Sequence, residues 1–227
     1  MPGAAALLMG GLVACSGAAG DSAKVNERTG ASDSASAAVG SRGTVLFVGT
    51  SLTAGLGLEP EQAYPSLVEA KIDSAGLPYT VTNAGISGET SSALLRRLDW
   101  LLEGKFDVIV IETGANDGLR GIPVATARRN IDSILTRVRT ARPDARVMLV
   151  QMEAPPNLGA AYTTAFRDMY GELAARHGVE LMPFLLEGVA GDPRLNQPDG
   201  IHPNVAGAKR VAETVWKSLR PVLAPAG

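Results

Sequence analysis

Cysteine is nearly absent from this 227-residue chain. Cys15 is the only one, so no disulfide can form within it. Histidine is almost as scarce, at positions 177 and 202 only. A metal centre built on several imidazoles is therefore not expected, and any reaction that needs an imidazole base has two candidates. Aromatic residues make up 4% of the chain, too few for a broad stacking platform for sugar rings. Charge of one sign is also lacking: a net charge of -2 and a pI near 5.7 argue against nucleic acid as a partner. The apolar run Ala4–Ala14 is too short for a bilayer, which takes about 20 residues.

What is present suits one globular domain with extra sequence at its start. Residues 1–15 carry no charged side chain and end in Leu12-Val13-Ala14-Cys15-Ser16. This resembles the lipobox of bacterial lipoproteins, except that no Lys or Arg precedes the apolar run. The resemblance implies a signal peptide, export to the periplasm or cell envelope, and a lipid on Cys15 that tethers the protein to a membrane. Residues 16–42 are rich in Gly, Ala and Ser without periodicity and read as a flexible linker. The folded domain is expected over 43–222.

Inside it, strand and helix patterns alternate. Short apolar or β-branched runs occur at 44–48, 79–83, 107–111, 146–152 and 179–182; helical spacing recurs at 63–75, 90–105, 124–141, 162–177 and 204–219. Pro143, Gly178 and Pro221 stand as stop signals. Strands separated by helices of this length predict βαβ units with right-handed crossovers. The expected fold is a flavodoxin-like three-layer α/β/α arrangement, with five parallel strands in the order 2-1-3-4-5.

In such a sheet the carboxyl ends of the strands share one edge, where ligands bind. Ser51 follows the first strand. Asn83-Ala-Gly-Ile-Ser-Gly88-Glu-Thr90 follows the second, Thr113-Gly-Ala-Asn116-Asp117-Gly118 the third, and Gln197-Pro-Asp199-Gly-Ile-His202-Pro-Asn204 the last. A serine hydroxyl needs a base to become a nucleophile. His202 can supply it, with Asp199 three residues earlier to hold the other ring nitrogen. The N–H groups of Ser51 and Gly88 and the side-chain amide of Asn116 can receive an oxyanion. Gly88 is expected to let the backbone come close, having no side chain. Taken singly, each of these could be a turn or cap residue. His177, before Gly178, reads as a cation at the negative end of a helix dipole.

These four blocks resemble those of the SGNH hydrolases, the GDSL esterase and lipase family, and in particular its acyl-CoA thioesterase I, lysophospholipase and arylesterase branch. Asn83-Ala-Gly-Ile-Ser-Gly-Glu-Thr, Gly114-Ala-Asn-Asp-Gly-Leu-Arg-Gly and Asp199-Gly-Ile-His-Pro-Asn carry the likeness. It implies a flavodoxin-like fold, hydrolysis of carboxylic esters or thioesters and no cofactor. The roles of serine, glycine, asparagine, histidine and aspartate would fall on Ser51, Gly88, Asn116, His202 and Asp199. The first block departs from the family, reading Gly49-Thr50-Ser51-Leu52 where Gly-Asp-Ser-Leu is usual.

Other readings fit less well. An α/β-hydrolase elbow needs Gly-x-Ser-x-Gly and an acid well before its histidine. Glu89 and Asp117 could be imagined as a glycosidase pair but read more simply as loop and cap residues. Gly55 and Gly57 lack the third glycine of a dinucleotide site. A carbohydrate acetylesterase and a non-catalytic binding lipoprotein on the same fold remain the alternatives. For an acyl chain, an apolar wall is expected from Leu119 and Ile122 after the asparagine loop and from Pro155 and Pro156 after the fourth strand. The expected partner is a small-molecule or lipid ester, met by a monomer.

Overall fold

The structure, a computed structural model, describes residues 42–224. The segments read as signal peptide and linker lie outside the described residues, apart from Arg42, whose guanidinium donates to Asp73 and to the Tyr79 carbonyl.

Five strands, β1 (Gly43–Gly49), β2 (Tyr79–Gly85), β3 (Val108–Ile111), β4 (Arg146–Val150) and β5 (Glu180–Met182), form one sheet. Its order is β2-β1-β3-β4-β5 and every pairing is parallel, as expected. The helices are α1 (Ser51–Ala54), α2 (Tyr64–Ser74), α3 (Ser91–Leu101), α4 (Ala115–Leu119), α5 (Val124–Ala141), α6 (Ala160–His177) and α7 (Val205–Leu223), with 3-10 turns at Pro60–Gln62 and Pro156–Leu158. The step from β1 to β2 runs one way across the sheet and the next three steps run the other way. Right-handed crossovers then place α2 on one face and α3, α5 and α6 on the opposite face. The packing agrees: α2 lies against α7, while α5 lies between α3 and α6.

Because both faces are covered, the central strands have no polar side to show. All four residues of β3 are buried, as are Val45 to Val48 of β1. The edge strand β2, with its Thr and Asn residues, is half-exposed. Helix α5 buries Ala127, Ile131, Ile134, Leu135 and Val138 along one stripe, the larger of these each contributing up to about 1.5–3 kcal/mol.

Two helix ends differ most from expectation. Helix α3 stops at Leu101 rather than Lys105, and the guanidinium of Arg142 takes the carbonyls of Leu102 and Gly104. Helix α7 continues past Pro221 to Leu223. A proline costs a helix one backbone hydrogen bond, but continuing one more turn buries Val222 and Leu223.

The register aligns Gly49 with Gly85 and Val48 with Ile111, and brings Val150 beside Met182. The chain therefore leaves the strands along one edge. At that edge Gly85 packs on α1: a Cβ there would collide with the Ala54 nitrogen and lie 2.8 Å from the Thr53 carbonyl carbon. Gly85→Ala is expected to cost about 1–3 kcal/mol in urea unfolding. An unchanged unfolding midpoint would contradict this packing.

Candidate active site

Ser51 opens the four-residue helix α1 directly after β1 and one residue, Thr50, in extended conformation. Gly55, left-handed at φ 74°, ends the helix by donating its N–H to the Ser51 carbonyl. As the first helical residue, Ser51 has no intrahelical acceptor for its own N–H. The side chain is held at the rim rather than in solution, Ser51 being 8% exposed.

His202 arrives from a loop tied down at several points. The Gln197 N–H donates to the His202 carbonyl at 2.7 Å. The Gln197 amide donates to the carbonyls of Leu56 (2.7 Å) and Pro203 (3.0 Å). Asn204 caps α7 by accepting from the N–H groups of Ala206 and Gly207. His202 Nε2 then lies 2.8 Å from Ser51 Oγ, and Nδ1 lies 2.6 Å from Asp199 Oδ2. The other Asp199 oxygen accepts from the backbone N–H groups of Ile201 (2.9 Å) and His202 (3.0 Å). The His202 backbone N–H, then its imidazole, then the Ile201 N–H hold the Asp199 carboxyl down at about 2. A carboxylate at Nδ1 keeps the proton on that nitrogen and leaves Nε2 as the acceptor facing the serine.

The loops after β2 and β3 interlock beside this row. Asn116 donates one amide hydrogen to the Glu89 carbonyl at 3.0 Å, and its second remains for another acceptor. Arg120 donates to the Gly88 carbonyl at 3.0 Å. Arg97 grips the Glu89 carboxylate with two 2.6 Å bonds and also reaches the Ala84 carbonyl. Buried Asp117 accepts from the N–H and hydroxyl of Ser91 at 2.8 and 2.6 Å, tying α4 to the start of α3. Glu89 and Asp117 thus hold the loops together. Gly88 has φ 78°, and an added Cβ would meet nothing closer than 3.8 Å. The left-handed backbone there favours glycine.

Behind the Ser51 turn lies Glu112, fully buried. It accepts from the Thr50 N–H at 2.6 Å, the Thr50 hydroxyl at 3.0 Å and the Thr53 hydroxyl at 2.9 Å. Burial pushes its carboxyl up, and these donors oppose the rise. Sequence reasoning missed Glu112. The signal available was an acid closing the apolar run Val108-Ile-Val-Ile111.

A cavity of about 300 Å³ opens at Ser51 and Asn116. Leu119, Pro155 and Pro156 line it as expected, joined by Met152, Phe184 and Leu186, which the sequence had not marked. Ile122 is not in the lining; its N–H donates to the Asp117 carbonyl and its carbonyl accepts from the Tyr162 hydroxyl. His177 pairs with Asp132 of α5 at 2.7 Å, joining two helices rather than facing the rim. Among the described residues, no three His, Cys, Asp or Glu side chains converge as metal ligands would.

The chain matches the GDSL-like Lipase/Acylhydrolase family over residues 47–210. It is similar to Esterase TesA of Pseudomonas aeruginosa, 43% identical over 79% of this chain and 89% of that protein. It is 37% identical to Thioesterase 1/protease 1/lysophospholipase L1 of Escherichia coli K12, over 79% of this chain and 85% of that one. Among solved structures, a crystal structure of TesA covers 80% of this chain and 99% of its own with a TM-score of 0.75. A structure of the psychrotrophic esterase EstA from Pseudoalteromonas sp., inhibited by monoethylphosphonate, is 34% identical, covers 79% and 98%, and also scores 0.75. The chain therefore belongs to the GDSL-like lipase and acylhydrolase family, the SGNH serine hydrolases that act on ester bonds.

Proposed function

We propose that Ser51 is the nucleophile, His202 the general base and acid, and Asp199 the group that orients the imidazole and stabilises its charged form. The observation that carries this is the unbroken hydrogen-bonded row from Asp199 through His202 to Ser51, ending at an apolar cavity. Ser51 Oγ attacks the ester carbonyl while His202 Nε2 takes its proton. The N–H groups of Ser51 and Gly88 and the free amide hydrogen of Asn116 receive the oxyanion. His202 returns the proton to the leaving alcohol or thiol, and water then releases the acyl group by the same steps.

The acyl chain occupies the cavity along Leu119, Pro155 and Pro156. Its apolar lining favours acyl esters and thioesters over acetylated polysaccharide, and the names of the relatives, esterase, thioesterase and lysophospholipase, point the same way. The protein acts as a monomer outside the cytoplasm, tethered to a membrane through a lipid on Cys15. That tether rests on the lipobox-like Leu12–Ser16 sequence. Cys15→Ser is accordingly expected to shift the protein from the membrane fraction to the soluble fraction of fractionated cells, and an unchanged distribution would remove the tether.

A hydrolysis panel tests the activity, using p-nitrophenyl esters of increasing acyl length with acyl-CoA, lysophospholipid and acetyl-xylan. Longer acyl esters should exceed acetate, and acetyl-xylan should be inert; the reverse order favours an acetylesterase. Ser51→Ala should lower kcat by roughly 10⁴- to 10⁶-fold and Asn116→Ala by roughly 10²- to 10³-fold. Wild-type turnover by purified Ser51→Ala would discard the assignment.

The Asp199 carboxyl titrates lower in the folded chain than the ordinary value of about 3.9. Its contribution to folding is therefore complete above about pH 4 and is lost as the pH falls through about 2. At 43% side-chain exposure that contribution is small. Carbon-13 NMR of the Asp199 carboxyl should show a midpoint near 2. The carboxylate then stays charged wherever the enzyme turns over; a midpoint at or above the ordinary value would contradict its bonding to Ile201 and His202.

A further inference from the structure

We propose that Glu112 is a positioning residue for the nucleophile, acting on Ser51 through Thr50 and Thr53; the inference rests on Ser51 being the nucleophile. Glu112 follows the last residue of β3 and is 0% exposed. Its hydrogen-bond partners bracket Ser51. Thr50, just before it, gives both its N–H and its hydroxyl, and Thr53, two residues after it, gives its hydroxyl. The Tyr64 hydroxyl lies 2.8 Å from Thr53 Oγ1. Donating there, it leaves the threonine hydrogen for Glu112. All of these groups can donate together, which is what an ionised carboxylate requires.

Two further observations show that the turn is built around this carboxylate. A Cβ at Gly49 would collide with Thr53 Oγ1 and lie 2.6 Å from Glu112 Oε2, so glycine at 49 leaves the space that the carboxylate and its donor occupy. Thr50, although at the N-cap of α1, makes no side-chain cap bond to that helix; its hydroxyl is committed to Glu112. A four-residue helix has no stability of its own, so the direction of α1, and with it Ser51 Oγ and Ser51 N–H, depends on such external bonds. The residue standing where the family signature has aspartate thus serves as a donor to a carboxylate supplied by the next strand of the sheet.

The test combines steady-state kinetics with the rate at which a p-nitrophenyl alkylphosphonate labels Ser51. Labelling reports the reactivity of the nucleophile apart from ester turnover. Glu112→Gln should lower kcat and the labelling rate together by roughly 10- to 100-fold, as expected for a small misplacement of a reacting group, with KM within about twofold. Thr50→Val, of matched size, should lose roughly 3- to 10-fold, Thr50→Ser should restore activity, and the double variant should be no worse than Glu112→Gln because the pair acts as one unit. Folding is checked by circular dichroism and thermal melting. If Glu112→Gln does not fold, Thr50→Val and its rescue by Thr50→Ser decide the matter. A folded Glu112→Gln or Thr50→Val with wild-type kcat and labelling, or with a change confined to KM, would overturn the inference. Failure of the nucleophile assignment looks different: the wild-type protein itself would not be labelled at Ser51.

Discussion

A 2.8 Å hydrogen bond joins Ser51 to His202 across 151 positions of the chain, and the geometry of the site depends on the sheet bringing those two loops together. The first loop leaves a central strand, whereas the second follows the edge strand β5 and must travel back across the rim. Gln197 holds the two together. Its amide donates to the Leu56 carbonyl beyond the serine turn and to the Pro203 carbonyl beside the histidine. Gly57 makes the approach possible, since a Cβ there would collide with the Gln197 amide oxygen.

The carboxylates around the rim do different work because their surroundings differ. Asp199 stands partly in water and is held charged by backbone N–H groups and an imidazole. Glu112 is sealed from solvent and satisfied by neutral donors. Asp117 binds Ser91, and Glu89 is neutralised by a two-bonded Arg97. A buried acid without such partners would cost several kcal/mol. Each therefore commits its neighbours to one geometry, and rim loops that would otherwise move are held in place.

Much of this was legible in the chain. The apolar runs of β1 and β3, the stripe of α5 and the stop at Gly178 follow from residues within a turn or two of one another. The alternation of elements led to the strand order. The misses share a different origin. Pro221 does not end α7 because burial of Val222 and Leu223, a matter of tertiary packing, offsets a local defect. Ile122 has the composition of a cavity wall, yet its backbone is taken by Asp117 and Tyr162 and it is absent from the lining. The left-handed φ of 78° at Gly88 is likewise invisible in composition.

The sequence by itself determined which segments become strands and helices, the parallel order of the sheet, and the four loops that hold the polar groups. Those properties come from hydrogen bonds and side-chain periodicity over short separations. Only the tertiary structure decided that Asp199, His202 and Ser51 form one row, that the cavity beside them takes Phe184 and Leu186 but not Ile122, and that Glu112 turns inward to Thr50 and Thr53. Those outcomes depend on register and burial, which place side chains from distant parts of the chain within 3 Å of one another, and no local pattern encodes that distance.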